Sequence, residues 1–541
     1  MIETLTREEI LKKTALLSVY DKTGIANFAK ELVELDWEIY ASGGTAKELK
    51  NAGIGVKDVA DLVGGSAILG HKVVTLSREI HAGLLASDEE QKELDELGIP
   101  RIDLVCVDLY PLEETIASAQ DDEQAVINQT DIGGPTMLRA AAKGRRIVIS
   151  QAEQRARVLQ WLKDGMPDEK IHRDKMAAKA EAVAASYALA SAQYISRDHE
   201  HSWGGEVTRK AAPAVYGENR WQPIAWLESV LSDDELAIDN FEQIEGAALS
   251  YNNYCDVDRL LQTTTHIAAG WDVNFGKTSH IVVGGKHGNA CGAAVKDSPA
   301  DAIKSALEGD LRAIFGGSIM VNFAINEELA ELLVHHKVEK GRRLLDVIVA
   351  PAIDEAARDI LSRKKGKCRL LINPALENLD KNTLDTEPRY RYVRGGGLVQ
   401  NNYDFILNLE DEELDKQGEA NAEDVVLGWA VGSTCNSNTI TLTKDGQLIG
   451  NGVGQQDRVG AAELAIKRAT DAGHDVKSSV AYSDSFFPFA DGPLILAEAG
   501  VKSIFATSGS VGDDKVKSAL QEKQVAFWTL PDAKARGFYA H

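Results

Sequence analysis

The chain has 541 residues, enough for several domain-sized units, and its 44% apolar and 26% charged residues are typical of globular proteins. Its 83 Asp and Glu residues outnumber 59 Lys and Arg residues, and the net charge of −24 disfavours nucleic acid and anionic membranes as partners. Five cysteines without a CxxC pair favour neither a disulfide framework nor a four-thiolate zinc site. Without a secretion signal or a run of about 18 apolar residues, the sequence predicts a cytoplasmic protein.

The first 60 residues alternate between the periodicities of strands and helices. The stretches "TALLSV" and "WEIYAS" are typical of buried strands, and each is followed by a turn and then by a helical pattern. This βαβα order predicts a parallel sheet, in which ligands bind beyond the carboxyl ends of the strands. Two short loops, 18–24 and 41–45, follow those ends.

These two loops are rich in groups that can bind a phosphate. Hydroxyls, backbone N–H groups and one ammonium are offered by Ser18, Lys22, Ser42, Gly43, Gly44 and Thr45. Ordinary turn chemistry explains either loop alone equally well. Two such loops at one sheet edge favour an anion site.

A second anion-binding device is predicted after a third strand within residues 101–112. The stretch "TDIGGPTMLRAAAKGRR" is typical of a glycine loop that leads into a helix beginning at Pro135. Backbone N–H groups at a helix N-terminus preceded by Gly133 and Gly134 can stabilise an anion. A capped surface helix without a ligand is the alternative.

The domain boundary is predicted near residue 200, within a linker at 197–215. Residues 1–199 then form one α/β domain, and 200–541 form an α/β region with two subdomains. Within the second region, "TITLTKDGQLIGNGVG" is predicted as a strand and 409–424 as an acidic surface segment. No short repeat is visible.

The stretch "KHGNACG", residues 286–292, is the strongest local candidate for chemistry. A zinc site is disfavoured because His287 and Cys291 lack a third ligand, and a Walker-type phosphate loop is absent. Cys291 beside His287 is conceivable as a nucleophile, although no third group is evident. A proton-transfer pair of Lys286 and His287 is better motivated, because a neighbouring cation lowers the pKa of an imidazole. A loop histidine without a function stays open.

Taken in order, the motifs resemble a family of bifunctional purine biosynthesis proteins. This family joins 5-aminoimidazole-4-carboxamide ribonucleotide (AICAR) formyltransferase to IMP cyclohydrolase. The resemblance spans nearly the whole chain and is carried by "SVYDKTG", "ASGGTAKEL", "HAGLLA", "LYPLEETIA", "DIGGPTMLRAAAK", "YGEN", "LSYNN", "KHGNACG", "IFGG", "SNTI", "GVGQQDRV" and "SDSFFPFADG". It implies a methylglyoxal-synthase-like parallel-sheet domain followed by two cytidine-deaminase-like α/β subdomains without the deaminase zinc. It also implies a homodimer with the formyltransferase site between the subunits.

Two reactions follow from this resemblance. The C-terminal region would transfer a formyl group from the co-substrate 10-formyltetrahydrofolate to the AICAR amine, and the N-terminal domain would close the ring to IMP, with no metal required. Because that amine is a weak nucleophile, a base must take its proton as the bond forms, and His287 is the candidate. Lys286 would keep the imidazole neutral and aid protonation of the departing folate nitrogen. Asn438 would orient the amine or the formyl oxygen.

The remaining site residues are implied by the same resemblance. The catalytic group for ring closure would be Lys143, Tyr110 and Asp131, with Gly133 and Gly134 stabilising oxygen charge. The ribose phosphate would be held by Ser18, Lys22 and residues 42–45. Further substrate contacts would be Tyr216, Phe315, Asp346, Arg458 and Arg536. The heterocycles would contact Phe486, Phe487 and Asp491.

The chain also departs from the family pattern. Val74 and Ser77 in "VVTLSR" replace a lysine and a histidine, and Lys72 is the candidate to compensate. Asp108 replaces an asparagine, and Val215 stands where an arginine would contact phosphate, which leaves Arg220 as its substitute. Two alternatives therefore stay open: a formyltransferase with a degenerate N-terminal domain, and an AICAR-binding regulatory protein without turnover.

Overall fold

The computed structural model describes residues 12–69, 73–119, 122–199, 202–230, 234–277 and 279–540. Lys72 lies outside them. The chain divides into two compact units, Met1–Thr208 and Arg209–His541, and the boundary predicted near residue 200 falls shortly before this division. Among the described residues, no helix is both long and apolar enough to cross a membrane.

The described part of the first unit contains a five-stranded sheet in the order β3-β2-β1-β4-β5. All pairs are parallel, as predicted from the βαβα pattern. The strands are β1 (Thr14–Ser18), β2 (Glu38–Ala41), β3 (Lys57–Asp58), β4 (Leu104–Val107) and β5 (Ile147–Ile149).

The first unit contains ten described helices, and its apolar residues form a core on each face of the sheet. The helices are α1 (Ile25–Glu34), α2 (Gly43–Asn51), α3 (Val59–Leu62), α4 (Arg78–Leu85), α5 (Gln91–Leu97), α6 (Leu112–Ser118), α7 (Glu123–Gln129), α8 (Gly133–Lys143), α9 (Gln154–Lys163) and α10 (Glu169–Ser196). Alternate residues of β1 enter different cores, since Ala15 and Leu17 join one cluster and Leu16 joins another. This double burial explains why the strands read as continuous apolar runs.

Two predicted helix starts were wrong by two or three residues. The glycines predicted to precede α2 and α8 lie inside their first turns, because α2 begins at Gly43 and α8 at Gly133. Pro135 is therefore the third residue of its helix. The glycine N–H groups still lie at helix N-termini, where an anion is favoured.

From residue 208 onward, the strands are β6 (Thr208–Ala214), β7 (Ala225–Val230), β8 (Glu242–Glu245), β9 (His280–Lys286), β10 (Asn289–Lys296), β11 (Ser318–Val321), β12 (Val347–Ala350), β13 (Arg369–Ile372), β14 (Arg389–Val393), β15 (Gly396–Gln400), β16 (Asp415–Gln417), β17 (Ile440–Lys444), β18 (Gln447–Gly452), β19 (Val480–Ser483), β20 (Ser503–Ser508) and β21 (Ala526–Pro531). The predicted linker at 197–215 thus contains β6, which pairs with β7. The stretch predicted as one strand at 439–454 is a hairpin of β17 and β18.

The helices of this unit are α11 (Tyr251–Phe275), α12 (Pro299–Gly309), α13 (Glu327–His335), α14 (Glu355–Leu361), α15 (Ala422–Gly432), α16 (Arg458–Asp471), α17 (Asp491–Glu498), α18 (Asp513–Glu522) and α19 (Asp532–Ala535). Short 3-10 helices occur at Ile238–Asn240, Lys364–Gly366 and Pro374–Asn378. The α/β prediction is confirmed.

The second unit contains an internal repeat, which the local sequence patterns do not show. Residues 251–372 run α11-β9-β10-α12-β11-α13-β12-α14-β13, and residues 422–531 run α15-β17-β18-α16-β19-α17-β20-α18-β21, which is the same order. Within the described residues both halves belong to one twelve-stranded sheet, joined where β10 pairs antiparallel with β18. From that junction each half continues outward with two antiparallel pairs, two parallel pairs and one antiparallel pair at the edge. The likeness of each half to cytidine deaminase stays a prediction.

Candidate functional site

The "KHGNACG" stretch forms the hairpin between β9 and β10. Lys286 pairs with Asn289 across a two-residue turn, and the turn residues His287 and Gly288 have φ of 55° and 67°. Positive φ at both positions is what a tight type I′ hairpin requires. The turn leaves the His287 side chain exposed at the end of β9.

Lys286 contacts a second segment of the predicted site. Its Nζ donates a hydrogen bond to the carbonyl oxygen of Phe315, 2.9 Å away, while the Phe315 ring remains exposed. Asp346 lies at the start of β12, where its backbone N–H donates to Gly317 and its carboxylate pairs with Arg363 at 3.1 Å. The structure thus brings three predicted residues, Lys286, Phe315 and Asp346, to one edge of the first half.

Two residues of α11 hold this region, and the sequence reading assigned a role to neither. The Asp256 carboxylate accepts hydrogen bonds from Gly288 N at 2.9 Å and from Ser318 Oγ at 3.4 Å. Arg259 donates to the Thr434 carbonyl at 2.8 Å and to Asn436 Oδ1 at 3.2 Å. Because residues three apart share a helix face, one side of α11 contacts both the His287 turn and the loop before Asn438.

A second group of predicted residues surrounds Asp484 in the other half of the unit. The fully buried Asp484 carboxylate accepts from Thr439 N at 2.9 Å and pairs with Arg458 at 3.3 Å. Burial raises the pKa of Asp484, against the opposing effect of the Arg458 charge and the hydrogen bonds. Neighbouring Asn438 donates from Nδ2 to the Gln455 carbonyl at 2.9 Å.

The aromatic stretch 486–489 lies beside this group. The Arg536 guanidinium is 5.6 Å from the Phe486 ring centroid and pairs with Asp532 at 2.9 Å. Phe487 is packed into the hydrophobic core, so its ring cannot present a face to a heterocycle. Asp491 is exposed at the first position of α17. Phe486 and the exposed Phe489 are the rings of this stretch that present surface.

Residues of both halves line a cavity of about 400 Å³. Its lining includes Lys286 and His287 from the first half and Asn436 and Asn451 from the second. The Oδ1 atoms of Asn289 and Asn451, which both line it, are buried without a hydrogen-bond partner in the described part of the chain. Charged and amide side chains thus make up part of the cavity lining.

The thiol and metal alternatives gain no support from the geometry. Burial raises the pKa of the Cys291 thiol to about 12, so the nucleophilic thiolate is strongly disfavoured. Its Sγ lies 3.5 Å from the Gly284 carbonyl oxygen. Across the described ranges, no group of three His, Cys, Asp or Glu side chains could hold a metal ion.

In the first unit, the two predicted phosphate loops lie side by side. Ser18 Oγ is 2.9 Å from Ser42 Oγ, and Thr45 Oγ1 lies 3.2 Å from the Val19 backbone. Lys22 Nζ donates to the carbonyls of Val19 and, at 2.9 Å, Tyr20. The hydroxyls and the ammonium therefore lie near the N-terminus of α2, where an anion is favoured.

The second group of the first unit gathers at the N-terminus of α8. Asp131 Oδ1 accepts from Gly134 N at 2.9 Å, and Tyr187 Oη accepts from Asp131 N at 2.7 Å. Burial raises the pKa of Asp131, and burial together with the Asp131 charge raises the pKa of Tyr110. Lys143 is the last residue of α8, roughly 15 Å along the helix axis from Gly133. The helix thus separates Lys143 from the group that holds Asp131.

Two family models match this chain. Residues 24–136 match the model of the MGS-like domain, and residues 141–468 match the model of the AICARFT/IMPCHase bienzyme. The bifunctional purine biosynthesis protein PurH of Persephonella marina is 34% identical over 529 residues, covering 95% of this chain and 98% of that protein. PurH of Anoxybacillus flavithermus is 36% identical over 528 residues, covering 95% and 98%. The chain belongs to the PurH family.

One solved structure, the crystal structure of ForH, is 34% identical and has a TM-score of 0.30. The match covers 34% of this chain and 97% of the ForH chain.

The structure shows what occupies the positions where this PurH-family chain departs from the usual pattern. Val74 packs against the core of the first unit, and Ser77 caps α4 by accepting from Ile80 N at 3.2 Å. Asp108 accepts from Asp21 N at 2.8 Å, so its carboxylate is held by the backbone of the Ser18 loop. Val74 and Ser77 thus serve local packing and capping.

The second unit carries the remaining departure from the PurH-family pattern. Val215 is exposed, and its N–H donates to the Leu249 carbonyl at 3.0 Å. The adjacent Tyr216 accepts from Tyr251 N at 3.1 Å. Arg220 is exposed in the same connection between β6 and β7.

Proposed function

We propose that this chain catalyses two consecutive steps of purine biosynthesis. In the first, the second unit transfers a formyl group from 10-formyltetrahydrofolate to the amine of AICAR. In the second, the first unit closes formyl-AICAR to IMP with loss of water. The single observation that best supports the first step is the exposed His287 on a tight turn beside Lys286 and a polar cavity.

His287 would act as the base in formyl transfer. Its imidazole would take the amine proton as the carbon–nitrogen bond forms, a contribution of roughly 10²- to 10⁴-fold. Lys286 would hold the Phe315 segment and aid protonation of the folate nitrogen as its bond to the formyl carbon breaks. Asn438 would orient the amine or the formyl oxygen. The two substrates would be contacted by Arg458, Arg536, Phe486, Asp346, Tyr216 and Asp491.

Ring closure would use the group at the N-terminus of α8. Gly133 and Gly134 would supply N–H groups to the oxygen charge that develops in the tetrahedral intermediate, with Tyr110 and Asp131 in proton transfer. Ser18, Lys22 and the first turn of α2 would hold the ribose phosphate. The helix-length separation from Asp131 favours a supporting role for Lys143 over direct proton exchange with Asp131.

We also propose a cytoplasmic homodimer with the formyltransferase site between its subunits. The hairpin of β14 and β15 supports an interface, because Tyr390, Tyr392, Leu398 and Val399 are all more than 60% exposed on it. Sedimentation analysis of the purified chain tests the dimer. A monomer at every concentration would contradict it.

The test of function is a product assay with purified protein, AICAR and 10-formyltetrahydrofolate. Formation of IMP supports both steps. Accumulation of formyl-AICAR without IMP would favour a formyltransferase with a degenerate first unit. In that case the loss of ring closure would be attributed first to Val74, which is apolar and packs against the core. Tight AICAR binding without formylation would contradict the first step and favour the regulatory alternative.

A further inference from the structure

The two halves of the second unit contain the same turn, built in the same way. In the first half, Lys286-His287-Gly288-Asn289 connects β9 to β10, and in the second, Lys444-Asp445-Gly446-Gln447 connects β17 to β18. The φ values of the central residues are 55° and 67° in the first turn and 53° and 68° in the second. The turns match in sequence pattern, strand register and backbone conformation.

An aspartate on a helix accepts hydrogen bonds from the backbone of each turn. Asp256 of α11 accepts from Gly288 N at 2.9 Å. Asp424 of α15 accepts from Gly446 N at 2.8 Å and from Asp445 N at 3.0 Å. Since α11 and α15 occupy the same place in the repeat, the aspartate and the turn form a unit that occurs twice.

The two units differ in how the carboxylate is used. Both oxygens of Asp424 bind the backbone of its turn, whereas Asp256 divides its oxygens between Gly288 N and Ser318 Oγ, at the start of β11. Burial raises the pKa of Asp256, and the Gly288 N–H and the neighbouring His287 lower it. Asp256 thus ties the His287 turn to the adjacent strand.

We infer that Asp256 is a positioning residue for formyl transfer, which fixes the His287 turn by accepting the Gly288 N–H and anchoring it to β11. This role rests on the proposed function of His287 as the base. Asp256 acts through the turn, without contact with substrate. A displacement of about 1 Å at a catalytic group can cost on the order of 100-fold in rate, so a loose turn is sufficient to slow the reaction.

The variants Asp256→Ala, Asp256→Asn and Asp424→Ala separate positioning from general stability. Asp256→Ala removes the acceptor, and we expect the kcat of formyl transfer to fall about 10- to 100-fold with little change in KM. Asp256→Asn keeps an oxygen that can accept the Gly288 N–H and should restore most of the rate. Asp424→Ala removes the matching contact from a turn without His287 and should leave that kcat within about threefold of wild type. If Asp424→Ala does not fold, Asp424→Asn serves as the control variant instead.

A double variant links the effect to His287. In a His287→Ala background, Asp256→Ala should cause no further loss, because a residue that acts through His287 has nothing left to position. Hydrogen exchange of the peptide covering 284–292 gives a readout without turnover, and it should be faster in Asp256→Ala than in Asp256→Asn.

Three results would overturn the inference: wild-type kcat in Asp256→Ala, equal losses of kcat in the Asp256 and Asp424 variants, or unchanged exchange at 284–292. Full activity of His287→Ala would instead remove the base assignment, so the two failures are distinguishable.

Discussion

The two halves of the second unit contain the same turn, and the chemical character of the residue at its second position differs between them. Both turns have a lysine, a glycine with positive φ and an amide residue. Each lysine donates to a carbonyl of the loop that precedes the neighbouring strand of the sheet, β11 in the first half and β19 in the second. Lys286 binds Phe315 at 2.9 Å, and Lys444 binds Lys477 at 2.9 Å. The second position is His287 in one turn and Asp445 in the other.

This difference separates structural from chemical roles. A feature that occurs in both turns, such as the lysine-to-carbonyl bond, is explained by the fold without any reaction. The imidazole occurs in one turn only, next to the cavity. The comparison therefore supports the proposal that His287 carries the chemistry, and it gives Lys286 a structural contribution that a substitution must reveal.

The largest expected effect is at the position that differs. His287→Ala should reduce formyl transfer by about 10²- to 10⁴-fold, because the amine then lacks a base. Asp445→Ala, the matched change in the other turn, should leave formyl transfer near wild type. Both variants should cyclise supplied formyl-AICAR normally, since that step is assigned to the first unit. Initial rates of the two half-reactions measure this, and a joint loss of both activities would show that the sites are not separable.

A smaller effect, on stability, is expected from Asp424, which binds the backbone of the second turn. Asp424 is 3% exposed, and burial raises its pKa from 3.8 to about 6, although the N–H groups of Gly446 and Asp445 lower it. The folded state therefore holds the proton more tightly than the unfolded chain, and ionisation costs stability as the pH rises from about 4 to about 6.

Asp424→Asn lacks this cost. Its free energy of unfolding relative to wild type should shift in favour of the variant by about 2 kcal/mol between pH 4.5 and pH 7.5. Denaturant unfolding at a series of pH values measures the shift. The same direction is expected for Asp256→Asn, because burial raises the pKa of Asp256 as well. A difference that is independent of pH would contradict the buried, ionisable character of Asp424.

The smallest expected effect distinguishes the two glycines. Positive φ makes either Gly→Ala change unfavourable by about 1 kcal/mol. A Cβ on Gly446 would lie 2.8 Å from the Val295 carbonyl oxygen, whereas nothing lies within 4 Å of a Cβ on Gly288. Gly446→Ala should therefore destabilise the protein more than Gly288→Ala in thermal unfolding. Equal losses would mean that the Val295 backbone gives way without cost.

Much of the first unit could be predicted because its strands are buried on both faces. Apolar runs such as Thr14–Ser18 and Leu104–Val107 have few alternatives to a central parallel strand. The segment at 208–214 was misread as linker because β6 is mostly exposed, so its polar residues resemble a loop. Helix starts were misplaced where glycines, which usually suggest a loop, form the first turn.

The candidate site was predictable only in part. The motif "KHGNACG" is visible in the sequence, but its partner "TKDGQLIG" was not recognised, although the spacing of Lys, Gly and an amide residue in both was the available signal. Asp424 was placed in an acidic surface segment, and it is buried. A carboxylate can be buried when backbone N–H groups bind it, and those donors come from a turn about 20 residues away.

The sequence by itself determined the α/β class, the motifs of the PurH family and the identity of the exposed histidine beside a lysine. These follow from local periodicity and from residue types at fixed spacing. Only the tertiary structure decided that Asp256 and Arg259 of one helix hold two loops of the candidate site, and that Phe487 is core. Such contacts join residues from 32 to 177 positions apart, and their energy depends on geometry that no local pattern encodes.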